Sequence, residues 1–189
     1  MDIENLMEVT TRQELRDWLE ENSRTKNYCW LIVSIKEQTG VIQYLDAVEE
    51  ALCFGWIDGI KKNVSDGKLA QRLSPRNHNS NWTELNKERA RRLIKLGLMK
   101  EDGLKVLPKM INESFTIDKD ILDLIKKDKQ IYNNFIQFPD LYIRIRIDTI
   151  QSYKKQPNIY NNRLEKFIEN TKKNIMYGQW NDNGRLIDY

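Results

Sequence analysis

The sequence of 189 residues is poor in the side chains that build metal sites and covalent cross-links, with two cysteines and one histidine. Cys29 and Cys53 lie in apolar stretches without the Cys-x-x-Cys or Cys/His spacing of a zinc site, and His78 stands alone. Free cysteine is among the most buried residue types. We therefore predict two buried, reduced thiols, no metal site and no cofactor.

Long apolar runs are also missing. A helix that spans a bilayer needs roughly 18 or more consecutive apolar residues, and no segment approaches that length. Residues 1–5 are acidic and do not show the basic-then-apolar order of a secretion signal. With 40% hydrophobic and 31% charged residues, the composition is that of a globular protein. We expect a cytoplasmic protein without a membrane span.

The commonest catalytic motifs are absent as well. The sequence contains no Gly-x-Ser-x-Gly elbow and no phosphate-cradling glycine loop. Neither cysteine has an evident base near it in the sequence, which argues against nucleophilic catalysis. These absences favour a binding protein over an enzyme.

The charge is distributed unevenly along the chain. The net charge is +3, but residues 1–60 carry a net charge of −7 and residues 61–100 a net charge of +8. A local positive excess of this size attracts an anion or a polyanion. The alternative is that helix faces rich in lysine and arginine are simply solvated.

The first part of the chain alternates between helical and strand patterns. Capping-box spacing and apolar stripes mark the helices, and runs of β-formers mark the strands. The predicted elements are a helix over 11–21, a strand over 28–35, a helix capped by Asp46 and stopped by Gly55, a strand over 56–64, a turn at 65–67, a strand over 68–73 and a helix after Asn81.

Beyond residue 113 the apolar residues recur at helical spacing, as in Ile121, Leu122 and Ile125. The sequence therefore predicts an α+β fold, with a small antiparallel or mixed sheet flanked by helices and then a C-terminal helical region. The predicted boundaries are 1–113 for the α+β domain, 114–178 for the helical region and 179–189 for a loose tail.

Polar and aromatic residues cluster on the predicted hairpin and in the loop after it. The candidate ligand-binding residues are Trp56, Asp58, Lys62, Arg72, Arg76, Asn79 and Trp82. Strand alternation puts Asp58 and Lys62 on one face and Lys61 on the other. A half-buried carboxylate at Asp58 needs a cation or N–H donors, and Arg72 and Arg76 are the candidates.

Two interpretations of this cluster stay open. In the functional one, Arg76, Lys62 or Arg72 holds an anionic group while Asp58 orients or deprotonates the bound molecule. In the structural one, Asp58 and an arginine form an ion pair that fixes the hairpin to the following helix. A surface for single-stranded nucleic acid over residues 56–92 rests on charge alone, because no RNP-like aromatic motif is present.

The same residues carry a family resemblance. Residues 51–59, ALCFGWIDG, resemble the signature of the bacterial YdeI/OmpD-associated family, also described as bacteriocin-protection. Residues 72–82, with Asn86, Met99 and Gly103 beyond them, resemble a second block of that family. The family's C-terminal arginine-rich turn is represented here by Arg163 alone. The resemblance implies a role in stress or antimicrobial-peptide protection and names no reaction.

The resulting hypothesis is a non-enzymatic protein that binds an anionic small molecule or a polyanion at the candidate residues. One alternative is an enzyme that uses Asp58 as acid and base and Arg76 as anion clamp. Another is a weak nucleic-acid-binding protein. A protein partner is a further option that the sequence leaves open.

Overall fold

The structure is a computed structural model that describes residues 3, 6–64, 67–77 and 80–189. The chain divides into two compact units, the first formed by residues 1–81 and 89–109 and the second by residues 82–88 and 110–189. Within the described residues, the first unit contains a mixed sheet with helices and the second is helical. The predicted α+β fold is confirmed.

The sheet of the first unit is built around one buried apolar strand. Its strands are β1 (Leu6–Met7), β2 (Cys29–Ser34), β3 (Ile42–Gln43), β4 (Trp56–Asn63) and β5 (Leu69–Pro75). The spatial order is β1-β2-β5-β4, and β3 also pairs with β2. The pairings β2–β5 and β4–β5 are antiparallel, whereas β1 and β3 run parallel to β2. Five of the six residues of β2 are buried, which explains why this part of the sequence is almost entirely apolar.

The helices of the first unit begin close to their predicted positions. They are α1 (Arg12–Asn22), α2 (Tyr44–Cys53), α4 (Glu101–Lys105) and the later part of α3 (Glu84–Lys95). The predicted capping box of α1 is confirmed, since Thr11 accepts a hydrogen bond from the N–H of Glu14. Asp46 as the cap of α2 is wrong: that helix begins directly after β3, at Tyr44, and Asp46 lies in its first turn.

Charged side chains buried within the first unit connect its helices. Glu49 and Glu50 are each 1% exposed. Arg12 donates to both carboxylates, Arg16 donates to Glu50 at 2.7 Å, and Arg92 donates to Glu49 at 2.8 Å. Removing one partner of such a pair leaves a buried charge without compensation, so this network fixes α1, α2 and α3 to one another within the unit.

The second unit packs helices around aromatic side chains. Its helices are the start of α3 and then α5 (Lys119–Lys126), α6 (Lys129–Phe135), α7 (Asp140–Gln151) and α8 (Pro157–Lys172). Ile121, Ile125, Tyr142 and Phe167 are completely buried in its core. In the last residues of the chain, Leu186 is 3% exposed.

No helix in the described part of the chain is long and apolar enough to cross a membrane. Among the same residues, no three His, Cys, Asp or Glu side chains converge in a way that suits a metal ion.

Candidate anion-binding face of the sheet

A β-bulge in β4 decides which candidate residues lie together. Asp58 pairs with Leu73 and Lys61 pairs with Gln71, so Gly59 and Ile60 both lie opposite Arg72. The extra residue reverses the alternation that follows it. Asp58 and Lys61 therefore lie on one face of the sheet and Lys62 on the other, and the predicted grouping of Asp58 with Lys62 is wrong.

The first face carries Asp58 and is covered by helices. The hydroxyl of Tyr44, the first residue of α2, donates to Asp58 Oδ2 at 2.6 Å. Lys61 Nζ lies 3.6 Å from the centre of the same tyrosine ring. Tyr44 therefore holds both charged side chains of this face.

The side chain of Gln71 donates hydrogen bonds to backbone carbonyl groups at the bulge. Its side-chain Nε2 donates to the carbonyl oxygens of Gly59 at 3.2 Å, Ile60 at 3.4 Å and Arg72 at 2.9 Å. The residue is fully buried, and its Oε1 has no hydrogen-bond partner among the described residues. A buried backbone carbonyl needs a donor, so Gln71 is part of what maintains the bulge.

The opposite face, here called the Arg72 face, consists of Arg72, Lys62, Trp30 and Ile32. The Arg72 guanidinium carbon lies 4.7 Å from the centre of the Tyr28 ring, and Lys62 Nζ lies 5.2 Å from the Trp30 ring. Trp30 pairs with Arg72, and Ile32 pairs with Ala70, which in turn pairs with Lys62. Both cations are thus held on aromatic rings on the same side of the sheet.

Neither Arg72 nor Lys62 forms an ion pair with a carboxylate of the described residues. Stacking on an aromatic ring fixes a guanidinium while leaving N–H donors at its edge available. Two cations arranged in this way are suited to bind a phosphate or carboxylate group.

A pocket adjoins this face at the end of β2. Its volume is about 530 Å3, and its walls come from residues 32–38, Val41 and residues 67–69. Ser34 is one of the lining residues, and its buried hydroxyl has no hydrogen-bond partner among the described residues. Lys36 and Lys68 lie in its wall together with one acid, Glu37. The pocket therefore extends the positive charge of the Arg72 face.

Arg76 is buried rather than open to a ligand. It is 5% exposed, its guanidinium donates to the carbonyl of Asn81 at 2.6 Å, and its backbone N–H donates to Gly55 at 2.9 Å. Burial lowers the pKa of Arg76, and the charge of Asp58 opposes that effect. These contacts place Arg76 where it fixes the loop after β5.

The remaining candidates do not join the Arg72 face. Trp56 is 1% exposed, donates from its indole N–H to the carbonyl of Ser23 at 3.1 Å and packs edge-to-face with Trp18. It is a core residue of the first unit. Trp82 belongs to the second unit, and Asn79 lies outside the described residues.

Sequence reasoning missed the aromatic and polar partners of the candidate residues. Tyr28 and Trp30 were hidden inside an apolar run that predicts only a buried strand. Ser34 is the single polar residue of β2, and a polar residue at the end of an apolar strand could have indicated the pocket. The sequence gives no sign of the role of Gln71, because that role depends on the bulge, and no local pattern links Tyr44 to Asp58, which is 14 residues further along the chain.

The fold and the surface together define an α+β protein with a cationic sheet face and a separate helical unit. The chain belongs to the family described as Domain of unknown function (DUF8412), whose model matches residues 7–106. Residues 114–174 match the model described as Bacteriocin-protection, YdeI or OmpD-Associated, which confirms the predicted resemblance. The motifs that first indicated it lie within the DUF8412 match. No curated protein and no solved structure matches the chain.

Proposed function

We propose that the protein binds an anionic ligand on the Arg72 face and in the adjoining pocket. The observation that carries the proposal is that Arg72 and Lys62 are each fixed on an aromatic ring and form no ion pair with a described carboxylate. Such cations stay solvated in the free protein and are ready to meet a phosphate or carboxylate.

The proposed ligand is elongated. Arg72 on β5 and Lys68, the residue just before β5, are four residues apart, which corresponds to roughly 13 Å at about 3.3 Å per residue in extended backbone. Lys62 pairs with Ala70, between these two positions. A ligand with several negative charges can contact all three side chains, and its affinity then depends on salt concentration.

Isothermal titration at low and near-physiological salt tests this proposal with inorganic phosphate, ATP and a short single-stranded oligonucleotide. Lys62→Gln and Arg72→Gln are expected to weaken the strongest ligand about tenfold each, since a charged hydrogen bond contributes about 1.5–3 kcal/mol. Lys61→Gln is the matched control, because it removes the same charge from the neighbouring residue on the opposite face. Equal losses for Lys61→Gln and Lys62→Gln, or no binding by the wild type, would refute the proposal.

We also infer a role in protection against bacteriocins, which the match of residues 114–174 supports by its description. Bacterial cells that express the protein are expected to survive a bacteriocin panel better than cells with an empty vector. Equal survival across the panel would contradict this role and would leave the ligand-binding proposal to be judged by titration.

A further inference from the structure

A second group of cations, none of them paired with a carboxylate of the described residues, lies in the helical unit. Arg146 on α7 and Lys166 on α8 both contact the ring of Tyr177: the Arg146 guanidinium carbon is 5.3 Å and Lys166 Nζ is 5.1 Å from its centre. Burial raises the pKa of Tyr177, and the charges of Arg146 and of Arg163, one turn before Lys166 on α8, oppose that shift. Two cations from two helices thus contact the ring of Tyr177, and the charge of a third acts on it.

Arg146 is held firmly in this position. Its guanidinium donates to the carbonyl of Gln179, and it packs so closely on the backbone at Gly178 that a Cβ there would lie 2.9 Å from the nearest guanidinium nitrogen. Its Nε is buried and has no hydrogen-bond partner among the described residues. Burial is the main reason that the pKa of Arg146 is lowered, and Arg163 contributes in the same direction.

Arg163 is positioned in a similar way. Its guanidinium carbon lies 4.0 Å from the centre of the Tyr153 ring, and one of its nitrogens donates to the carbonyl of Thr149 at 2.6 Å. A planar guanidinium fixed by one bond and one ring still has N–H donors for another acceptor.

No carboxylate of the described residues pairs with Arg146, Arg163 or Lys166. By contrast, Arg144 on the same helix pairs with Glu84, Glu88 and Asp140. A partly buried cation without a counter-charge is unfavourable, and a bound anion removes that cost. Three positive charges match a phosphate dianion better than a single carboxylate.

We propose that Arg146, Arg163 and Lys166 form a phosphate-binding site beside Tyr177 in the helical unit. The site is distinct in sequence and in unit from the Arg72 face. Arg146 and Arg163 supply fixed donors, whereas the exposed Lys166 adds charge at the rim.

Residue-resolved NMR separates this site from the Arg72 face. The protein is labelled with nitrogen-15 in a Lys62→Gln/Arg72→Gln background and titrated with inorganic phosphate, with sodium chloride and acetate as references. Saturable shifts are expected at the Arg146 and Arg163 side-chain N–H groups and at the Tyr177 amide, with weaker binding of acetate. Shifts that do not saturate, or that chloride reproduces, would overturn the proposal.

Matched variants complete the test. Lys166→Gln and Arg163→Gln are each expected to weaken phosphate binding about tenfold, whereas Lys173→Gln, an exposed residue just after α8, should leave it within twofold. Equal losses of phosphate affinity in all three variants would show that only the net charge of the protein matters, and would refute the site. Retained melting temperatures would show that Lys166→Gln and Arg163→Gln still fold.

Vesicles with phosphatidic acid distinguish a lipid phosphate from a soluble one. Binding to either source supports the site.

Discussion

At the residue scale, the neighbourhood of Asp58 distinguishes structural from ligand-binding roles. Its carboxylate accepts a hydrogen bond from Tyr44 at 2.6 Å. The cations of the Arg72 face lie on the other side of the sheet, on Tyr28 and Trp30. Asp58 is thus tied to the start of α2, on the opposite face of the sheet from Arg72 and Lys62.

Tyr44→Phe removes only the hydroxyl that Asp58 uses. Because a hydrogen bond to a charged group contributes about 1.5–3 kcal/mol, we expect the free energy of unfolding to fall by roughly that amount. Urea denaturation of the purified variant measures the change. Tyr28→Phe is the control, since the hydroxyl of Tyr28 makes no hydrogen bond with the described residues and the ring that supports Arg72 stays in place. An unchanged midpoint in Tyr44→Phe would show that the bond adds nothing to stability.

At the scale of secondary-structure elements, a close contact between α2 and α4 fixes the end of the helix that precedes β4. The N–H of Lys100 donates to the carbonyl of Cys53 at 2.9 Å. Gly103 in α4 approaches the same carbonyl so closely that an added Cβ would lie 2.2 Å from its oxygen. Gly55, which has a φ of +74°, lets the chain turn from α2 into β4 at this point.

Gly103→Ala is therefore expected to destabilise the protein, although alanine favours helices over glycine by about 1 kcal/mol. The clash is with backbone, which cannot move aside as a flexible side chain can, and overpacking of this kind costs about 1–3 kcal/mol. The melting temperature of the variant, measured by thermal unfolding, shows whether the substitution stabilises or destabilises the protein. Gly59→Ala should be tolerated, because the nearest atom to its added Cβ is 3.8 Å away. A higher melting temperature for Gly103→Ala would mean that α4 can shift away from α2.

At the scale of the whole molecule, the two buried thiols connect stability with alkaline pH. Cys29 and Cys53 are free and buried, as predicted, and burial raises the pKa of each thiol from 9.0 to about 12. The unfolded chain releases these protons at lower pH than the folded one. Their ionisation thus leaves stability unchanged below about pH 8 and lowers it as the pH rises from 9 towards 12.

Within that window each thiol is expected to cost about 1.4 kcal/mol of unfolding free energy per pH unit. The measurement is urea denaturation at pH 8, 9 and 10 for the wild type and for Cys29→Ala/Cys53→Ala. The variant begins from lower stability because two core side chains are truncated, but its decline above pH 9 should be shallower. Parallel declines in the two proteins would show that the thiols ionise in the folded state as readily as in the unfolded chain.

Local sequence patterns were sufficient for most elements of this fold. The capping box at Thr11 and Glu14, the apolar run of β2 and the positive φ of Gly55 each follow from a few neighbouring residues. The start of α2 was misplaced because β3 leads straight into the helix, which a local cap pattern at Asp46 does not reveal.

The sequence by itself determined the alternation of helices and strands, the burial of both cysteines and the concentration of positive charge after residue 60, because each depends on local composition and spacing. Only the tertiary structure decided which charges act together. The bulge at Gly59 and Ile60 moves Lys61 to the side of Asp58 and Lys62 to the side of Arg72. A bulge depends on how two strands pair, and one extra residue in a strand moves every later side chain to the other face of the sheet.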